Sequence, residues 1–168
     1  MTQNEDEYEE IYVERLSAEQ LVEFARYGEP ALVSELVVQG LSERLASQDS
    51  RGNTMLHMFA ANGYLPCAKL FVQHLPSALD VQNAEGNTAL HWACVSGQLE
   101  TVMFLMAAGA KVAVENKAER TPICEAHKHQ RTEILKFFEE TLGNKEESTE
   151  AENASKMESM AIEDQMEQ

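Results

Sequence analysis

The chain has 168 residues, with 29 acidic against 13 basic side chains and a formal net charge of -16 at pH 7. That is the length of one domain with room for flexible ends. A field of this sign repels nucleic acid and anionic membrane and attracts basic protein surface, which excludes a binder that tracks phosphates with clustered Lys and Arg.

The acidity lies mainly at the two ends. Residues 1–14 carry six acids and no base, among them Glu5, Asp6 and Glu14. This acidic segment contains no basic and apolar run of the signal-peptide kind, and no stretch of the chain approaches a membrane span, so a soluble intracellular protein without membrane contact is expected. From residue 15 to 143 a repeat dominates, and its period is the first thing to read because it fixes the architecture.

The first unit, about 15–48, opens with Ser17-Ala18-Glu19-Gln20, which has the spacing of a helix capping box. Its Phe24-Ala25-Arg26-Tyr27-Gly28 aligns with helix-to-glycine segments further on. The second unit, about 49–82, holds Gly52-Asn53-Thr54-Met55-Leu56-His57, which recurs 34 residues later in the third unit, about 83–115, as Gly86-Asn87-Thr88-Ala89-Leu90-His91. Thr54 and Thr88 suit helix N-caps, and His57 and His91 are placed to bridge the threonine and neighbouring loop backbone. Gly63 and Gly97 suit left-handed helix ends, and Gly52 and Gly86 suit a tight turn projecting between units. Leu70, Phe71 and Leu75, then Val102, Phe104, Leu105 and Met106, give the second helices one apolar face. The second unit has Phe59 where the third has Ala93, and Pro76 where the third unit has Gly109-Ala110-Lys111.

The fourth unit, about 116–143, starts its helix at Thr121-Pro122, with proline at a position that needs no N–H. It replaces the histidine by Cys124 and the helix-ending glycine by Gln130. Polar Lys128, His129, Gln130 and Arg131 suit the outer face of a terminal cap. Residues 144–168 form an acidic tail, with eight acids against two lysines. Its few apolar residues, Met157, Met160, Ile162 and Met166, favour a disordered segment over a docked helix.

No residue pattern points to catalysis. His57 and His91 have structural tasks, while His127 and His129 stand two apart on a helix and are poorly placed to share a metal. No nucleophile sits beside an activating base, and no glycine-rich phosphate loop is present. Cys67, Cys94 and Cys124 are widely spaced and read as buried thiols of a reducing compartment. The expectation is a protein without enzymatic activity, metal or cofactor.

The Thr88-Ala89-Leu90-His91-Trp92-Ala93 sequence resembles the Thr-Pro-Leu-His-x-Ala signature of the ankyrin repeat. The resemblance covers about residues 15–142 and implies an all-α solenoid of four helix-turn-helix repeats with projecting β-turn loops. It also implies binding through the loop tips and the concave face of the first helices. Carried onto this chain, the partner-binding positions are Asp49, Arg51 and Asn53, then Glu85 and Asn87, then Glu115 and Glu119, with Asn62, Trp92 and Ser96 on the helices. With the further tip residues Ser50, Ala84, Ala118 and Arg120, the helix-end residues Ala61, Val95, Lys128 and His129, and nearby Asp80, these make a mixed, mildly acidic strip.

Four repeats, acidic ends and the blocks 56–63 and 86–93 look more specifically like the fungal ankyrin-repeat chaperone dedicated to the KH-domain ribosomal protein of the small subunit. That resemblance implies a chaperone or escort that holds the basic N-terminal region of this ribosomal protein before assembly. It further implies a monomer that forms a heterodimer with its client, bears no nucleic acid, and occupies cytoplasm and nucleus. The alternative reading is an ankyrin adaptor or regulator in signalling or transcription.

Overall fold

Short helices cannot bury their apolar faces alone, so their stacking order decides the fold. The computed structural model describes residues 15–28 and 30–143. The acidic ends 1–14 and 144–168, including the methionine-bearing segment, lie outside the described residues. Among the described residues the regular structure is helical: α1 (Ala18–Ala25), α2 (Pro30–Val38), α3 (Met55–Asn62), α4 (Leu65–His74), α5 (Ala89–Ser96), α6 (Leu99–Ala107), α7 (Pro122–Lys128) and α8 (132–143). The odd-numbered helices pack in succession, α1 on α3, α3 on α5 and α5 on α7, while α2, α4 and α6 form a second layer behind them.

Local chemistry places the helix starts. Ser17 Oγ accepts from the Gln20 amide at 3.2 Å and Gln20 Oε1 accepts from the Ser17 amide at 2.8 Å, so the capping box forms as expected. In the central units the cap is built with the histidine. The Thr54 amide donates to His57 Nδ1 at 3.1 Å, and the Thr88 amide to His91 Nδ1 at 3.1 Å. In the last unit, where Cys124 replaces histidine, the half of the cap made by the threonine hydroxyl remains, accepting from the Cys124 amide at 3.3 Å. The left-handed helix end survives the loss of glycine there: Gln130 adopts φ 55°, as Gly63 (φ 73°) and Gly97 (φ 82°) do in the earlier units. Pro76 starts a short 3-10 helix, Pro76–Ala78, which makes the turn that Gly109 and Ala110 make one repeat later.

The core runs between the two layers. Leu56, Phe59, Leu90 and Ala93 of the inner layer are at most 1% exposed, as are Phe71, Val102 and Leu105 of the outer layer. Phe59, unexpected by motif, meets Phe71 edge-on with ring centroids 6.4 Å apart. Burying each such side chain contributes about 1.5–3 kcal/mol, and neighbouring repeats supply most of that contact.

Two expectations for the last unit need correction. Cys124 is exposed, whereas Cys67 and Cys94 are buried as expected, burial pushing the Cys94 thiol up to about 12. Arg131 does not face outward: its Nε donates to the Val95 carbonyl at 2.9 Å, tying the last repeat to the third. The terminal face is also less polar than expected, since Ile123, Leu135, Phe138 and Leu142 line a cavity of about 410 Å³ where a further repeat would stack.

Candidate protein-binding groove

The loops before α3, α5 and α7 repeat one hydrogen-bonded design. Asp49 Oδ1 accepts from the amides of Arg51 (2.9 Å) and Asn53 (2.8 Å). Asn83 Oδ1 does the same for Glu85 and Asn87, and Asn116 Oδ1 for Ala118 and Arg120. An asparagine or aspartate is needed there because its short carbonyl reaches amides two and four residues on. The loops then join to one another. The Ala84 amide donates to the Arg51 carbonyl (2.8 Å), and the Lys117 amide to the Glu85 carbonyl (2.9 Å). Side chains add a second link: Asn83 Nδ2 donates to Asn53 Oδ1 (2.9 Å), and Asn116 Nδ2 to Asn87 Oδ1 (2.8 Å).

The histidines complete this framework. His57 Nε2 lies 2.9 Å from the Asn87 carbonyl, and His91 Nε2 lies 3.0 Å from the Arg120 carbonyl. A carbonyl only accepts and the threonine amide only donates, so each ring is the neutral tautomer that donates from Nε2 and accepts at Nδ1. Burial, the largest influence on each ring, pulls its proton affinity below the ordinary 6.5 despite the upward push of those carbonyls.

Inner helices and loop tips together enclose a groove in two basins, of about 460 and 590 Å³. Trp92, Ala84 and Glu85 line both, so the indole stands on the divide between them. Its Nε1 is enclosed, and no group among the described residues accepts its hydrogen. Met58, Trp92 and Glu125 hold the same place on α3, α5 and α7, four residues after Thr54, Thr88 and Thr121. Glu125 is buried, which penalises its charge, yet its carboxyl stays below the usual range. Hydrogen bonds from Arg120 (2.7 Å) and Asn116 (2.9 Å), with the Arg120 and Lys128 charges, outweigh burial.

Of the positions expected to meet a partner, the groove brings together Ser50, Arg51, Asn53, Ala61 and Asn62 in one basin, and Asn87, Val95, Ala118, Arg120 and Lys128 in the other, with Ala84, Glu85 and Trp92 lining both. Asn53 is only 3% exposed and serves the loop framework rather than an open surface. Asp49 spends its carboxylate on loop amides and lies outside the lining, as do half-buried Ser96 and exposed Glu115 and Glu119. The mildly acidic strip is therefore not what the groove presents. Its lining carries five basic side chains, Arg26, Arg51, Lys117, Arg120 and Lys128, against the carboxylates of Glu85 and Glu125.

Arg26, Lys117 and Glu125 were missed as site positions, although the repeat period encodes two of them. Arg26 stands two residues before Gly28 as Ala61 stands before Gly63, and Glu125 falls in the Met58–Trp92 register. Among the described residues no group of His, Cys, Asp and Glu is arranged to hold a metal, and no helix is long and apolar enough to cross a membrane.

Comparison with known proteins agrees with this architecture. The family described as ankyrin repeats (3 copies) matches residues 21–116, more than half of the chain. Among solved structures the chain is similar to one of yeast ribosomal protein Rps3 in complex with its chaperone Yar1. The likeness, at 28% identity and a TM-score of 0.67, covers 72% of this chain and 89% of the other. No curated protein sequence matches the chain. With the stacked helix pairs, the linked loop tips and the Thr–His caps all in place, the chain belongs to the ankyrin-repeat family.

Proposed function

We propose that the protein is a chaperone of a basic ribosomal protein of the small subunit, which it shields and escorts before assembly without catalysing a reaction. The observation that carries this reading is the likeness to the Yar1 chaperone, which extends over most of both chains. The charge supports it: a net of -16 favours encounter with a strongly basic client that would otherwise bind stray RNA. Ankyrin repeats supply a rigid concave surface, and the groove around Trp92 is where this chain offers one. The reading includes a one-to-one complex formed in the cytoplasm and carried to the nucleus.

A pull-down from nuclease-treated extract, read by mass spectrometry, tests it. One stoichiometric small-subunit ribosomal protein is the expected result. Recovery of kinases or transcription factors with no ribosomal protein would replace the chaperone by a signalling adaptor.

A further inference from the structure

A protein with this surplus of carboxylates has a groove whose lining reverses the sign. Part of that positive charge is already neutralised inside the protein. Arg120 lies 2.7 Å and Lys128 4.0 Å from Glu125, and Arg26 lies 3.2 Å from Glu23. Arg51 and Lys117 are different: both are exposed, neither is in an ion pair among the described residues, and they stand at loop tips on either side of Glu85. Between the basins Trp92 offers an apolar ring face, its enclosed N–H having no acceptor among the described residues. That N–H is closed to solvent, so what the open groove presents to a ligand is the ring face. Cations at the rim and an indole ring face at the centre describe a site for a segment that is acidic and apolar at once. With two unpaired cations against the exposed carboxylate of Glu85, a basic segment meets a net like charge there, and like-charge contact is an effective means of rejecting a wrong partner.

We propose that the groove around Trp92 binds an acidic, apolar-studded segment of the client, leaving the client's basic surface to the carboxylates elsewhere on the chain. The assignment rests on the chaperone reading only for the source of the segment. The chemistry of the groove stands on its lining. Recognition is then divided: the groove fixes which segment docks and where, and the surrounding negative charge screens the basic body of the client.

Trp92 is the only tryptophan in the chain, so its fluorescence reports occupancy directly. The full chain is titrated with a synthetic peptide of Glu, Leu and Phe, and with its counterpart in which every Glu is Lys. The acidic peptide is expected to shift Trp92 emission and to bind about tenfold or more tighter than the lysine peptide, a preference that salt weakens. Arg51→Glu with Lys117→Glu is expected to remove that preference. Neither side chain is in a hydrogen bond or ion pair among the described residues, and an unchanged circular dichroism spectrum checks that the fold is kept.

Equal or tighter binding of the lysine peptide overturns the proposal, as does an emission that neither peptide moves. If removing residues 1–14 alone shifts Trp92 emission and tightens the acidic peptide, the chain's own acidic segment is the occupant and the client is not. A shift on concentrating the protein alone assigns the groove to a second copy, with the same consequence. The two readings fail separately. Loss of any ribosomal client in the pull-down with the peptide response intact removes the chaperone, whereas a bound ribosomal client with a silent Trp92 removes the groove assignment.

Discussion

His57 and His91 show how one residue type serves two elements at once. Each accepts from the threonine amide that opens its own helix and donates to the carbonyl of the following loop, so losing the ring strands groups in two repeats. His57→Ala is expected to cost about 2–4 kcal/mol, combining an unsatisfied buried carbonyl with a cavity, as urea unfolding would measure. Because burial holds both rings neutral, the unfolded chain binds their protons more readily than the folded one. Their stabilising effect is therefore complete above about 6.5 and is lost as pH falls through 6.5 towards the lower folded values. Glu125 adds a second, more acidic step. Its folded carboxyl lies below the ordinary 4.5, so its contribution is present above that pH and is lost as pH falls below it. Thermal unfolding followed against pH should fall in these two stages, and removing His57 and His91 together should flatten only the first.

The element that most directly shapes the groove is the chain of three loop tips. They touch through backbone, so the spacing tolerates almost no added volume. A Cβ on Gly86 would lie 2.8 Å from the Lys117 amide nitrogen, on a residue already at φ 79°. Gly86→Ala therefore combines a disfavoured left-handed conformation with a clash against backbone that cannot swing aside. The expected loss is about 1–3 kcal/mol of stability by chemical unfolding, with weakened partner binding because the tips carrying Glu85 and Lys117 separate. Glu119 holds the corresponding place in the last loop at φ 56° without glycine, and among the described residues no later repeat packs against it. The motif glycine is thus demanded by a neighbour as much as by the turn itself.

Across the whole molecule, charge and shape are separated: a positive groove is set in a chain of net -16. Association with a basic client is expected to weaken steeply as salt rises from about 0.05 to 0.5 M, chiefly through a slower on-rate, because exposed charges are screened over a shrinking Debye length. A salt-independent on-rate measured by stopped flow would contradict the electrostatic part of the proposed function. The repeat was legible without coordinates because each motif residue satisfies a local demand. Thr54, His57, Gly63 and their counterparts cap a helix, brace a turn or enter a left-handed bend, and such demands recur at fixed spacing. Trp92 was legible as a candidate through the ankyrin resemblance, which assigns the face of the first helices to partner binding. What spacing could not convey was which side chains remain available once loops and helices pack. Asn53 and Asp49 read as tip residues, yet their polar groups are consumed by the loop framework, and Glu125 is consumed by Arg120 and Asn116. Local sequence chemistry determined the repeat, its period and its caps. Only the tertiary structure decided the sign of the groove, because that depends on which charges the stacked repeats turn inward and neutralise and which they leave at the rim.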